Sequence, residues 1–377
     1  MVTETRLRTY LLDHFNVTSS GTSWTVTIDD LSVGKAQQSS GGSGQELIAH
    51  ARLIPPTAGD LRTFQLRYDA VVHQVITHVI RVSLRRDWSA GQIGTTHQVG
   101  TIRVDPVTGK IPALTVDLAK GSIWQGFTSM VSLGISHIRE GTDHLLFLLT
   151  LLLPAPLLVT ARRWSGPAPT RRTVRRITAI TLAFTAGHSL SLAASTLGRL
   201  PIPQQPVEVL IAVSILVAAI HAIRPIFPGR EALIAAAFGL VHGMAFSLTL
   251  ADLNLDGRQL ALSLLGFNLG IEAMQLLAVA LVLPPLCLLA RTPAYQPVRT
   301  TAAALTAVAA VGWMLARLGL PNPVATGADH LAPAAGWLVA GLWISATAIY
   351  VKQNRLNHRI PSLEHRSIAA FLVDELG

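Results

Sequence analysis

From about residue 123 onward, apolar runs near 20 residues long recur along the chain. Each is long enough to cross a hydrocarbon core of roughly 30 Å as a helix. Inside lipid every backbone amide must be satisfied by protein, so an apolar run of this length folds as a helix. Seven candidate spans fall at about 124–157, 177–198, 206–225, 231–252, 259–290, 300–319 and 333–351. The first and fifth are too long for simple helices. Gly134 and Gly141 bracket the break expected in the first, and Pro284-Pro285 are expected to end the main part of the fifth. The expected fold class is an all-α polytopic membrane bundle of about seven transmembrane helices over residues 121–352, with a cytoplasmic tail over 353–377.

Residues 1–120 are of a different kind. Stretches such as Phe64–Val71 and Val75–Val82 bring β-branched and aromatic residues round at near period 2. Turn signals at Ser40–Gly44, Pro55-Pro56 and Asp105-Pro106 separate such runs. The pattern predicts an N-terminal β-sandwich-like domain. His50, His73, His78 and His97 lie in it and read as ordinary surface residues.

Composition agrees with a membrane chain: 50% of residues are hydrophobic and 14% charged, against about 25% charged in soluble domains. The net charge of +9 could suggest nucleic acid. Its densest cluster, however, is Arg162, Arg163, Arg171, Arg172, Arg175 and Arg176, in one connection between apolar runs, with Trp164 the only aromatic residue among them. That is a topology signal, and no nucleic-acid partner is expected. Connections after the first, third and fifth spans carry arginines (Arg162–Arg176, then Arg224 and Arg230, then Arg291 and Arg299). Those after the second, fourth and sixth are poor in positive charge and hold Asp252, Asp256 and Asp329. The alternation places the C-terminus in the cytoplasm and residues 1–120 outside it. An exported domain needs a signal, and the start MVTETRLRTYLLDHF has no apolar core. A signal missing from this chain is the expectation. The single cysteine, Cys287, cannot form an intrachain disulfide.

Ionisable groups within spans are costly and mark functional sites by default. His137, Glu140 and His144 fall at i, i+3 and i+7, and a bend at Gly141 would let Asp143 join them. Imidazole together with carboxylate suits first-row divalent metals. Charges pairing among themselves in a boundary loop are the bland alternative. Thr181, Thr185 and His188 share a face of the second span. His242 sits beside Gly239 and Gly243, a small-xxx-small pair that admits a close neighbouring helix. Each of these histidines could equally be an interhelical hydrogen-bonding group. Asn268, Glu272 and Gln275 form a polar face in the fifth span, and Glu208 opens the third, either guarding an entrance or favouring a helix N-terminus. Four spans carrying ligand chemistry at membrane depth point to one shared site.

The segments at Gly134–Leu149, Phe184–Leu190, Val207-Glu208, Phe238–Gly243 and Phe267–Glu272 resemble the HupE/UreJ family of bacterial membrane proteins, over roughly residues 121–290. The resemblance, to the longer branch with an extracytoplasmic β domain, implies a nickel or cobalt permease. It also implies that His137, Asp143 and His144 are the principal metal motif, with His188, His242 and Glu272 as further candidates. The leading expectation is therefore a membrane permease for a divalent transition-metal ion (Ni, Co or Zn). No G-x4-G-K-[ST] motif supports ATP hydrolysis by the chain. A membrane-embedded zinc hydrolase using the same histidines with Ser189 is the first alternative. A sensor whose outer domain binds a partner is the second.

Overall fold

Strands form early in the chain and long helices late, as the change from period 2 to unbroken apolar runs requires. The computed structural model describes residues 2–35, 45–56, 61–93, 96–118, 120–198, 203–251 and 255–374. It divides into two units, Met1–Gly126 and Phe127–Gly377. The expected turn at Ser40–Gly44 and the acidic residue Asp252 lie outside the described residues.

In the first unit a helix not anticipated from the sequence, α1 (Val2–Asp13), precedes the strands β1 (Phe15–Ser19), β2 (Thr22–Ser23), β3 (Thr25–Lys35), β4 (Gln45–Ile54), β5 (Thr63–Tyr68), β6 (Ile80–Leu84), β7 (His97–Ile102) and β8 (Leu114–Asp117). The region is strand-rich, as expected. Its strands form one antiparallel sheet in the order β2-β1-β5-β8 and two ribbons, β3-β4 and β6-β7. Val17 of β1 and Ile102 of β7 are fully buried, and period 2 sends their neighbours toward solvent, while Val72 is buried in the turn after β5. Arg62 holds the buried Asp87 at 2.6 Å. Burial by itself would raise the Asp87 carboxyl. Hydrogen bonds from Arg62, Ser89 and the Ala90 amide, together with the Arg62 charge, hold it below its ordinary value of 3.8.

A depressed folded-state value means that this contribution is complete above the ordinary value and is lost as pH falls through the depressed one. Acid unfolding followed by tryptophan fluorescence should show wild type more stable than Asp87→Asn at neutral pH. The advantage should shrink below about pH 4.

The second unit is helical: α2 (Ile123–Glu140), α3 (Thr142–Leu152), α4 (Thr170–Gly198), α5 (Gln204–Ile223), α6 (Glu231–Ala251), α7 (Gly257–Leu289), α8 (Tyr295–Arg317), α9 (Pro323–Asp329) and α10 (Ala335–Asp374). Among the described residues five stretches are long and apolar enough to cross a membrane: Thr170–Ser195, Gln204–Ile223, Gly257–Leu289, Tyr295–Arg317 and Ala332–Gln353. Thr142–Leu152 and Glu231–Phe246 are shorter apolar helices. The break expected in the first long run falls at Gly141, between α2 and α3. Gly134 does not break the helix. A side chain there would collide with the Phe267 carbonyl of α7.

Two further expectations are corrected. Pro284 and Pro285 do not end α7, which continues to Leu289. Pro285 has no amide to give Leu281, and the Trp343 indole donates to that freed carbonyl at 2.8 Å. The basic connection after α3 is not simply a loop. It holds a hairpin of β9 (Leu157–Thr160) and β10 (Arg163–Pro167), turned by Ala161 and Arg162, both at positive φ. The last helix, α10, runs to Asp374 without a break.

The bundle is drawn together at glycines. A Cβ on Gly187 would strike the Ala236 carbonyl, one on Gly239 the Phe184 carbonyl, and one on Gly243 the His188 carbonyl, so α4 and α6 touch backbone to backbone. Gly270 meets the Val131 carbonyl in the same way, joining α7 to α2. At one end of the bundle, Arg299 donates to the Ala222 and Ile223 carbonyls at the close of α5. Beside it Arg176 pairs with Glu231 at 2.6 Å.

Gly239→Val should destabilise the bundle by about 1–3 kcal/mol or more, and Trp343→Phe by about 0.5–1.5 kcal/mol. Thermal unfolding in detergent measures both, and an unchanged midpoint for Gly239→Val would contradict the packing described.

Candidate functional site

Gly141 determines where the polar residues point. By ending α2 it lets α3 begin inside the bundle, and Asp143 in the first turn of α3 accepts from the His144 amide at 2.9 Å. The same oxygen lies 2.9 Å from His144 Nδ1. A carboxylate only accepts, so neutral His144 carries its proton on Nδ1 and turns the Nε2 lone pair outward. That Nε2 lies 3.5 Å from His242 Nδ1 on α6. On its other side His242 Nε2 lies 2.9 Å from Ser214 Oγ of α5.

The result is a buried row, Asp143–His144–His242–Ser214, with two proton arrangements. If Ser214 donates to His242, then His242 Nδ1 carries a hydrogen toward His144. If Ser214 instead donates to the Ile211 carbonyl, 2.7 Å away, then His242 carries its proton on Nε2 and two imidazole lone pairs face each other. The second arrangement attracts a proton or a cation to the point between them.

His137, on the last turn of α2, stands with its ring centroid 4.7 Å from that of His144 and 6.4 Å from that of His188. His188 is fully buried, and among the described residues neither of its ring nitrogens has a hydrogen-bond partner; His137 Nε2 is likewise buried without one. Each orphaned buried group of this kind costs about 1–3 kcal/mol. Phe246 and Phe267 flank His137, while Phe147 and Phe184 pack on His242. The imidazoles thus lie in an aromatic, low-dielectric surround.

Thr185, one turn before His188, donates its hydroxyl toward Glu272 Oε2 at 2.6 Å and lies 3.1 Å from Gln275 Oε1. Glu272 Oε1 is buried with no hydrogen-bond partner among the described residues. Asn268 donates to the Leu264 carbonyl of its own helix and leaves Oδ1 buried without a partner.

The histidines of four separate segments are therefore brought together, with Glu272 and Gln275 tied to α4 beside them. Glu140 is not among them. The break at Gly141 ends the face it shared with His144, and it pairs with Arg139 at the surface. Glu208 pairs with Arg317 at 3.0 Å and accepts from Gln204. Ser189 is half-buried. Ser214 was missed by sequence reading, because a lone serine in an apolar helix carries no signal of its own. Among the described residues no group of three or more His, Cys, Asp or Glu side chains is arranged to hold a metal ion as it stands.

The model of the HupE/UreJ protein family matches residues 114–317, more than half of the 377-residue chain. The chain belongs to the HupE/UreJ family. No curated protein and no solved structure matches it. The HupE/UreJ family is linked to nickel and cobalt transport, which supports a metal-ion transporter at the level of the family. The matched span contains His137, Asp143, His144, His188, Ser214, His242 and Glu272.

Thr185→Val should remove both contacts to α7 and lower stability by about 1–3 kcal/mol. Thr181→Val, whose hydroxyl bonds its own helix at the Ile177 carbonyl, should change it much less. Paired detergent melts compare the two.

Proposed function

We propose that this protein is a permease for a divalent transition-metal ion, nickel or cobalt first, that passes through the bundle by way of His137, Asp143, His144, His188, His242 and Glu272. The observation that carries the reading is the meeting of imidazoles from α2, α3, α4 and α6 in one buried aromatic pocket, several of their nitrogens without a partner. Imidazole and carboxylate match nickel, cobalt and zinc better than calcium or magnesium. A transported ion must also leave, so ligands spread over several helices, short of a closed cage, suit passage.

In this reading the chain crosses the bacterial inner membrane about seven times. Its N-terminal unit, residues 1–120, faces outward and residues 353–377 lie in the cytoplasm, as the arginine-rich connections favour. Glu272, held by Thr185, supplies the negative charge that a dication needs at membrane depth.

Uptake of radioactive nickel or cobalt by cells expressing Asp143→Ala or His144→Ala should fall at least about tenfold relative to wild type, since the loss of one charged or imidazole ligand exceeds the 10–100-fold effect of an outer-shell change. Undiminished uptake of every first-row metal by both variants, at equal membrane expression, would sink the transport reading.

A further inference from the structure

Where β10, the close of α5 and the start of α8 meet, they border a cavity of about 390 Å³. Small-molecule sites run from about 300 to 1,000 Å³, so a small ligand has room there. Arg163, Trp164, Arg224, Gln296 and Arg299 are among the lining residues, and none of the lining residues is acidic. The β9–β10 hairpin is pinned at this end by Trp164. Its indole Nε1 donates to the His221 carbonyl of α5 at 3.1 Å, and the Arg176 guanidinium lies over its ring, 5.2 Å from the centroid. Arg163, the residue before Trp164, thereby shares the opening with Arg224, the residue that follows α5.

The charge around this cavity is one-sided. Arg299, in the second turn of α8, is only 5% exposed. Its Nη1 donates to the Ala222 and Ile223 carbonyls. Those bonds satisfy the negative end of α5 but bring no full counter-charge. Its Nε is buried with no hydrogen-bond partner among the described residues. Glu231, at the same end of the bundle, is already held by Arg176 at 2.6 Å. Arg163 and Arg224 are exposed, and among the described residues neither they nor Arg299 form an ion pair. The first turn of α8 adds to the imbalance, since no side chain caps it and it holds no acidic residue. A guanidinium taken out of water without an anion is costly, and here it stands beside two more cations and the positive end of a helix.

We propose that Arg163, Arg224 and Arg299 form a binding site for a phosphate group, presented by an anionic phospholipid headgroup or as the free ion. The planar guanidinium fork matches phosphate oxygens, and a phosphate offers more of them than a carboxylate does, enough for several forks. Gln296 adds an amide donor to the same lining. Ile223, which lines the cavity, and Ile226 and Val298, each next to a lining residue, are exposed apolar side chains of the kind lipid tails cover. In the proposed orientation this end of the bundle faces the cytoplasmic leaflet, which is anionic and whose headgroups bind basic pockets between helices. The site uses none of the histidines and does not depend on the transport reading.

Native mass spectrometry of the full chain in detergent tests the lipid arm, scored as the excess of bound phosphatidylglycerol over phosphatidylcholine. Calorimetric titration with inorganic phosphate tests the free-ion arm. The double variant Arg163→Gln/Arg224→Gln changes exposed positions, so it should fold as wild type and bind at least about tenfold more weakly. Arg171→Gln/Arg172→Gln removes the same charge from exposed positions outside the lining and should bind as wild type. Arg299→Gln should lose binding as well; should it fail to fold, the exposed pair still decides. Loss of phosphatidylglycerol alone in the lining variant assigns the pocket to the headgroup, and loss of inorganic phosphate assigns it to the free ion; either result upholds the site. Binding of neither by wild type, no loss in the lining variant, or equal losses in the two double variants would overturn it. Uptake assays that refuted transport would leave these titrations unaffected, so the two failures are distinguishable.

Discussion

Where α4 meets α6, the carbonyl oxygens of Phe184 and His188 lie so close to Gly239 and Gly243 that no side chain fits between the two backbones. In lipid there is little hydrophobic drive to bring helices together, so contact of this kind, multiplied along a seam, holds the pair. The α2–α7 seam repeats it at Gly134 and Gly270. The chemistry follows from the seams. His188 is adjacent to Gly187, His242 is adjacent to Gly243, His137 stands one turn beyond Gly134, and Glu272 follows Gly270 by two residues. The glycines that permit close approach thereby bring the polar side chains into one pocket. With bulkier residues in their place, each imidazole would face a wall of its own.

Two classes of polar group coexist in the bundle, and the difference between them is informative. Structural groups hold firm partners, although Arg299 Nε and His221 Nε2 are themselves buried without a hydrogen bond among the described residues. Tyr295 donates to the Leu153 carbonyl, Arg299 to the end of α5, Trp343 to the carbonyl freed by Pro285, and Trp313 to Asp329. His221 belongs with them, its Nδ1 facing the Ile226 and Phe227 amides and its ring stacked on Phe227. The pocket histidines are under-committed, with His188 bonded at neither nitrogen. A buried donor or acceptor left unpaired opposes folding, and its retention is understandable where a cation or proton repays it.

Much of the candidate site was legible because ionisable residues stand out in apolar runs and because helical spacing sorts them by face. The break at Gly141 was legible too, from the length of the first apolar run and the glycine within it, although length alone does not decide, since the 33-residue α7 remains one helix. Pro284-Pro285 misled. Proline removes a donor, and whether that ends a helix depends on a distant residue, here Trp343, that can take the freed carbonyl. The β9–β10 hairpin escaped notice because its arginines read as a topology signal. The cavity of Arg163, Arg224 and Arg299 escaped because three separate segments supply it, and only the packing of their ends brings them together.

Taken alone, the sequence determined that the chain enters a membrane as helices, that a strand-rich region precedes them, and which residue types are buried at depth. Those properties are local, following from run length, period and transfer energy. Tertiary structure decided which of the polar residues meet. It sent Glu140 to the surface with Arg139, tied Glu272 to Thr185, added Ser214 to the row through His242, and gathered Arg163, Arg224 and Arg299 around one cavity. Each of these depends on where two backbones cross, a long-range property set by packing that no local pattern in the chain encodes.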